Sequence, residues 1–240
     1  MKKLLFYKIR QKLRLKTMTL ESNKTLGGVG AILILVGTLA SAYTYGVIAL
    51  AGVVLVFIAL NGLADYYKDR GIFSNAIYSL VAGVIGVVAG TAALLFIIFD
   101  TSIFKNFLMD LYPNWNGQWS TISSAISGHA AHTSSLPMGD VVSFLGALFV
   151  VLVILWAFAV VAGFFARRSL NALSSKTSVG LFSTGGLLLL IGAFLTILFG
   201  FGLILVWVAG LLIAIAFFQI KPPEQAPVAA AAPSSTPTPV

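Results

Sequence analysis

The chain has 240 residues, of which 59% are hydrophobic and 9% are charged, with a formal net charge of +8 and no cysteine. A soluble domain carries roughly 25% charged and 45–50% apolar residues, so this composition excludes a soluble globular fold. It also excludes disorder of the main body, and the missing cysteine excludes a disulfide scaffold or a cysteine zinc site. The class that remains is a polytopic membrane protein.

Six apolar runs are about long enough to cross a hydrocarbon core of ~30 Å, which takes about 17–25 helical residues. They contain no Asp, Glu, Lys, Arg or His, and they are Leu26–Tyr43, Val47–Leu63, Ala76–Phe99, Val141–Ala166, Val179–Phe199 and Phe201–Phe218. Because no water reaches the core, each segment must satisfy its own backbone amides, which predicts helices. The predicted fold is an all-α bundle of six transmembrane helices over residues 26–219.

The joints between the runs differ in length. Thr44–Gly46 and the single Gly200 are very short, so we expect one hairpin from the first two helices and another from the last two. Residues 100–140 form the one sizeable loop, which is expected outside the cell. Ser22–Thr25 and Ser174–Thr177 precede the two glycine-rich hairpins, and duplication and chance resemblance both explain this similarity.

The basic residues fall almost entirely on one side of the predicted membrane. If each of the six runs crosses the membrane, fourteen of the fifteen Lys and Arg residues lie on the same side as the N-terminus. Lys105 lies on the other side. Since Lys and Arg are enriched in cytoplasmic segments, both termini are predicted to be cytoplasmic in a multi-pass protein of the cell membrane. Ala40–Ala42 resembles a signal-peptidase site, but the long basic segment before it and the similar later hairpin favour a retained first helix.

The two ends of the chain differ from the membrane domain. Residues 1–25 are predicted to be a basic amphipathic cytoplasmic segment, which suits the anionic headgroups of a bilayer surface. Nucleic acid is not expected as a partner, because the topology accounts for the positive charge. Residues 220–240 hold six prolines and predict a disordered Pro/Ala-rich cytoplasmic tail.

A polar cluster follows the second run at its cytoplasmic end. It comprises Asp65, Tyr66, Tyr67, Lys68, Asp69 and Arg70. On a continuous helix Asp65 and Asp69 would share one face, and paired carboxylates at a membrane surface can hold Mg²⁺ against a phosphate. No second acidic cluster lies on this side. We therefore expect an interfacial anchor whose tyrosines and charges contact lipid headgroups or a protein partner.

Small residues form a row on the third run. Ser79, Gly83, Gly86 and Gly90 are spaced to lie on one side of a helix, where small residues allow close backbone approach. We expect this row to pack against another helix of the same chain. The alternative is a contact between copies in a homo-oligomer.

Catalytic groups are not evident in the sequence. The loop pair His129 and His132 has the i, i+3 spacing of metal ligands on a helix, but no third ligand is specified. No G-x-S-x-G, P-loop or zincin motif occurs, so we expect no catalytic residue, cofactor or metal. The predicted protein is non-enzymatic with a structural or interaction role. The alternative is a small-solute or ion permease component, although no ionisable residue lies within the runs, where ion pathways usually place them.

Several stretches are similar to a known family of small prokaryotic, mainly archaeal, integral membrane proteins catalogued only as a domain of unknown function. They are Met18–Gly28, Gly62–Ala76, Gly185–Gly192 and Ala216–Lys221. The resemblance covers about Met18 to Lys221 and is most specific at Ala64–Gly71. It implies a membrane protein and supplies no activity or substrate, and it leaves open whether residues 1–17 are an extension or follow an upstream start.

Overall fold

The computed structural model describes residues 20–99, 101–128, 136–198 and 200–221. The described part is helical, with one 3₁₀ turn at Trp119–Thr121 and no strand. The helices are α1 (Leu20–Leu39), α2 (Ser41–Thr44), α3 (Val47–Tyr66), α4 (Arg70–Phe99), α5 (Ser102–Leu111), α6 (Ile122–Gly128), α7 (Met138–Thr177), α8 (Gly180–Leu195) and α9 (Phe201–Phe218). The all-α prediction is confirmed.

Five of these helices are long and apolar enough to cross a membrane: α1, α3, α4, α7 and α9. The fifth predicted span is the exception, because α8 has 16 residues and is about 24 Å long at 1.5 Å per residue. Residues 196–198, which follow the helix, form turns. Gly200 then has a φ of 76°, a left-handed conformation in which a right-handed helix does not continue. The structure therefore has five helices of membrane length and one shorter apolar helix.

Several helices extend beyond the predicted apolar runs. α1 begins at Leu20, α4 begins at Arg70 and α7 continues to Thr177. The backbone continues as a helix through the polar residues at these ends. Glu21 lies in the first turn of α1, where its negative charge interacts favourably with the helix dipole. The predictions for the basic segment before Leu20, the proline-rich tail after Lys221, and His129 and His132 lie outside the described residues.

Six helices close into a ring. α1 packs on α3, α3 on α4, α4 on α7, α7 on α8, α8 on α9, and α9 returns to α1. In the described part of the chain no helix of the ring packs on the helix opposite, so a space remains at the centre. We call the end that carries Leu63, Ile72, Leu173, Phe182 and Phe217 the sealed end, and the opposite end, where α5 packs on α4 and α7, the loop end.

Glycines bring the helices of each hairpin to backbone contact. A Cβ atom at Gly30 would lie 2.8 Å from the carbonyl oxygen of Gly52, and one at Gly52 would lie 2.6 Å from that of Gly30. In the second hairpin a Cβ atom at Gly192 would lie 2.8 Å from the carbonyl oxygen of Gly202. No side chain fits between these backbones, so the glycines set the distance between the helix axes.

The row of small residues on α4 faces α7 within the same chain. A Cβ atom at Gly86 would lie 2.5 Å from Cβ of Phe158, and one at Gly90 would collide with the side chain of Leu155. Ser79 belongs to the same contact, since its hydroxyl donates to the carbonyl oxygen of Ala162 at 2.8 Å.

Gly83 is placed differently from its predicted position in that row. A Cβ atom there would meet no atom within 4 Å, and the buried residue at this level of α4 is Ala82. The contact with α7 therefore passes beside Gly83, through Ser79, Gly86 and Gly90.

Leucine at Gly86 is expected to force α7 away and to lower the free energy of unfolding by about 1–3 kcal/mol, as overpacking does elsewhere. Leucine at Gly83 has open space and is expected to change it little, as is leucine at Val88, which is 63% exposed. Thermal denaturation in detergent provides the measurement. Equal losses at Gly83 and Gly86 would contradict the packing described.

Candidate functional site

The ring encloses a cavity of about 630 Å³ that all six helices line. Its walls are formed almost entirely by aliphatic and aromatic side chains, with Trp207 of α9 among them. Among the described residues, none that lines the cavity carries a charge. The volume lies within the range of small-molecule sites in proteins, about 300–1,000 Å³.

The hydroxyl groups on the cavity wall donate to backbone carbonyls. Thr38 donates to Leu35 at 2.8 Å within α1. Ser169, which is 2% exposed, donates across from α7 to the carbonyl oxygen of Ile72 at 2.6 Å. Together with Ser79 on α4, Ser169 joins α4 to α7 by hydrogen bonds in both directions. These groups satisfy their donors without a ligand, so the wall offers mainly apolar contact.

The sealed end closes the cavity with a tightly packed apolar core. Leu63, Ile72, Leu173, Phe182 and Phe217 are all 0% exposed there. The rings of Phe182 and Phe217 meet edge to face, with centroids 5.1 Å apart, which is a favoured aromatic geometry. α8 and α9 are thereby joined at the base of the cavity.

Glycines of α1 make room for this closure. A Cβ atom at Gly27 would collide with the ring of Phe217, and one at Gly28 would collide with the ring of Phe218. These rings can lie against α1 only because both positions lack a side chain.

The predicted polar cluster forms the turn between α3 and α4. Lys68 adopts a left-handed conformation with φ 54°. The backbone amide of Asp69 donates to the carbonyl oxygen of Ala64 at 2.9 Å. The backbone amide of Lys68 donates to the backbone carbonyl oxygen of Asp65 at 3.4 Å. This is the Schellman pattern of a helix end, in which a residue with positive φ satisfies the last carbonyls. Asp69 then caps α4, since its Oδ1 accepts from the amide of Gly71 at 2.9 Å.

This turn corrects the predicted geometry of the two carboxylates. Asp65 and Asp69 do not share a helix face, because Lys68 ends the helix between them. Asp65 pairs with Arg70 at 3.1 Å, whereas Asp69 pairs with Lys176 of α7 at 3.7 Å. The first pair is largely exposed, and the second joins the turn after α3 to the end of α7.

The two tyrosines of the cluster meet edge to face at this turn. Their ring centroids are 5.0 Å apart at a steep angle, with Tyr66 exposed and Tyr67 half-buried. Burial, with a smaller contribution from Tyr66, raises the pKa of Tyr67 above its ordinary value. A tyrosine with an ordinary pKa of about 10 is already protonated at neutral pH, and the raised pKa extends that range further into alkali.

The loop end carries a small core of its own. Trp115 is 4% exposed, packs with Leu108 and Ala125, and donates from Nε1 to the carbonyl oxygen of Gln118 at 2.8 Å. The stacked rings of Phe107 and Phe144, 4.5 Å apart, fasten α5 to α7.

Asp110 of α5 and Asp140 of α7 lie close together at the loop end. Burial and the neighbouring carboxyl of Asp140 raise the pKa of Asp110 above its ordinary value. The contact is non-local and joins two residues of like charge, so no sequence pattern indicates it. The Phe182–Phe217 contact and the ring around the cavity are also non-local, so the sequence does not predict them.

The outer surface of the helices is apolar. Val87 and Val88 are 63% exposed, and Ile204 is 65% exposed. Helices of membrane length with an apolar exterior are typical of integral membrane proteins. The structure is therefore that of a helical protein compatible with a membrane.

Within that class, the chain belongs to the family described as "Protein of unknown function (DUF996)", whose model matches residues 48–211. A relative from Methanocaldococcus jannaschii, "Uncharacterized protein MJ1644", is 29% identical over 203 residues, which cover 85% of this chain and 94% of the relative. No solved structure matches the chain. The resemblance to an archaeal-type family of unknown function is confirmed.

Alanine at Asp69 is expected to lower the free energy of unfolding by about 1 kcal/mol, because a helix cap is lost. Its ion pair with Lys176 is lost as well. Alanine at Asp65, the matched control, removes only an exposed pair and is expected to cost less than about 0.5 kcal/mol. Thermal denaturation in detergent compares the two. A larger loss at Asp65 would overturn the roles assigned to these carboxylates.

Asparagine at Asp110 is expected to stabilise the fold at neutral pH. A pKa raised by folding means that the folded chain holds the proton more tightly than the unfolded chain. The resulting stability is fully present below the unfolded pKa and is lost as the pH rises through the folded pKa. The Tm of the wild type should therefore rise relative to D110N as the pH is lowered from 7. Parallel Tm profiles for the two proteins would contradict the close pair.

Proposed function

We propose that this chain is a non-enzymatic integral membrane protein with a structural or interaction role, which crosses the cell membrane six times with both termini in the cytoplasm. The observation that carries the proposal is the ring itself, with an apolar exterior, an apolar interior and a sealed end. Its wall hydroxyls are bonded within the protein. Among the residues that the structure describes, this arrangement offers apolar surface for binding, and no charged side chain lines the cavity.

The sixth crossing is supported by the geometry around α8. Beyond Leu195, the amide of Leu198 donates to the carbonyl oxygen of Leu195 at 2.9 Å, and that of Gly200 donates to Thr196 at 3.2 Å. These turns continue the segment toward Gly200. α8 also packs along α9, whose 18 residues are apolar throughout. A hairpin of this depth can cross and return, with local thinning of the bilayer where α8 is short.

The orientation is supported by the distribution of charge between the two ends of the ring. In the described part of the chain, Lys105 is the single cation at the loop end. The sealed end carries Lys24, Lys68, Arg70, Arg167, Arg168, Lys176 and Lys221. The positive-inside rule then puts the sealed end in the cytoplasm. Cations at this end would meet anionic headgroups, the lipid partner that we propose.

A permease component is the second candidate, and the cavity at the centre of the ring is the observation that favours it. The sealed end and the uncharged walls argue against passage of ions or polar solutes. Flux of ions and small solutes into proteoliposomes distinguishes the two candidates. A homo-oligomer would need a face other than the Gly86 and Gly90 contact, which α7 already covers.

Cysteine labelling tests the six crossings, since the chain has no cysteine of its own. With an impermeant thiol reagent on intact cells, S123C should react, whereas S175C and K221C should react only after permeabilisation. The comparison of Ser175 with Lys221 is decisive for α8. If α8 fails to cross, these two positions fall on opposite sides and the proposed count is wrong.

A further inference from the structure

The central cavity changes from closed to open along its length. At its base Leu60 and Leu170 are 5% and 6% exposed. At its mouth, toward the loop end, Leu39 and Leu203 are 71% and 61% exposed although they line the same space. The cavity is therefore a blind apolar pocket with one open end.

The depth of the pocket corresponds to one leaflet of a bilayer. Its wall on α9 runs from Leu203 to Ile213, a length of about 15 Å at 1.5 Å per residue. The hydrocarbon core of a membrane is ~30 Å thick, so each leaflet contributes about half. Tyr43 and Tyr45, which are 89% and 94% exposed, lie beside the mouth at the turn after α1. Tyrosines are enriched at the level of the headgroups.

The ring is also open at one side, between α3 and α4. These helices meet near the sealed end, where the rings of Phe57 and Phe73 lie 6.5 Å apart. Toward the loop end α3 turns to α1 through Gly52, and α4 turns to α7 through Gly86 and Gly90. On α4 the cavity wall ends at Ser79. The pocket is thus continuous with the outer, lipid-facing surface of the helices.

An empty apolar pocket of this size would forfeit the dispersion contacts of its walls. Water would gain little there, because it needs several polar partners and the wall hydroxyls already donate to carbonyls. Within a bilayer, the apolar material at hand is lipid hydrocarbon.

We infer that the pocket holds one hydrocarbon chain of a lipid from the leaflet at the loop end, which enters between α3 and α4 with its headgroup near Tyr43 and Tyr45. This inference rests on the proposed placement of the ring in a bilayer. The pocket selects for chain shape and apolarity, and the headgroup stays outside it. The protein is then a lipid-binding membrane protein in which the bound hydrocarbon chain fills the centre of the helix ring.

Trp207 on the wall allows a direct test. The full-length protein in detergent is titrated with phosphatidylcholine brominated in its acyl chains, and the signal is the fluorescence quenching that disappears in W207F. Saturable quenching is expected, with competition by the same lipid without bromine. The filling variant A166F should weaken the apparent affinity roughly tenfold to a hundredfold, the effect of 1–3 kcal/mol of overpacking. The matched control A157F, on the exposed side of α7, should leave the affinity unchanged.

The outcomes separate this inference from the proposed topology. Equal quenching in A166F and A157F would mean that Trp207 senses only bulk chains, and absence of quenching would mean that no lipid chain enters. Quenching by 1-bromooctane but not by the brominated lipid would indicate a site for free apolar solutes. Each of these results overturns the inference while leaving the cysteine labelling unaffected. If A166F fails to fold, A31F fills the pocket from α1 and replaces it.

Discussion

Close approach between helix backbones at glycines is the interaction on which the rest of this structure depends. Within lipid, little hydrophobic force draws apolar helices together, so association relies on contact area and small residues. Gly30 with Gly52, and Gly192 with Gly202, join the helices of each hairpin, and Gly86 and Gly90 join α4 to α7. Because these pairs of helices are held tightly at their glycines, the helices do not collapse onto the centre. The cavity results from the contacts that stabilise its walls.

Polar groups within the ring have a structural use that also shapes the cavity. Ser79 and Ser169 donate to carbonyls of the neighbouring helix, which strengthens the α4–α7 contact without leaving a free donor at the centre. A hydroxyl left without a partner in an apolar surrounding would be costly. The same hydrogen bonds therefore stabilise the pair of helices and keep the pocket apolar, which restricts the ligands that it can accept.

Hydropathy and charge predicted the all-helical fold, the turns near Gly46 and Gly200, and most of the apolar helices. They overestimated α8, because its end depends on the turn geometry of residues 196–198 and not on apolarity. The separation of Asp65 and Asp69 onto different helices depends on the positive φ of Lys68. Lysine is a common helix-forming residue, so its presence does not predict this angle. The different roles of Gly83 and Gly86 depend on the path of α7 across α4. Each of these failures concerns a contact between distant segments or a single backbone angle.

The length of α7 implies that this helix extends from the lipid of the bilayer into water. Its 40 residues extend about 60 Å, roughly twice the thickness of a hydrocarbon core. Arg70 and Lys176 lie within three residues of Ile72 and Leu173, which are fully buried in the sealed end, so these charged groups and the sealed core lie at one level. In a membrane that level is the water-facing boundary. The sealed core would then be held by exclusion of water, as in a soluble domain, and should weaken in urea while the helices nearer the loop end, surrounded by lipid, remain assembled.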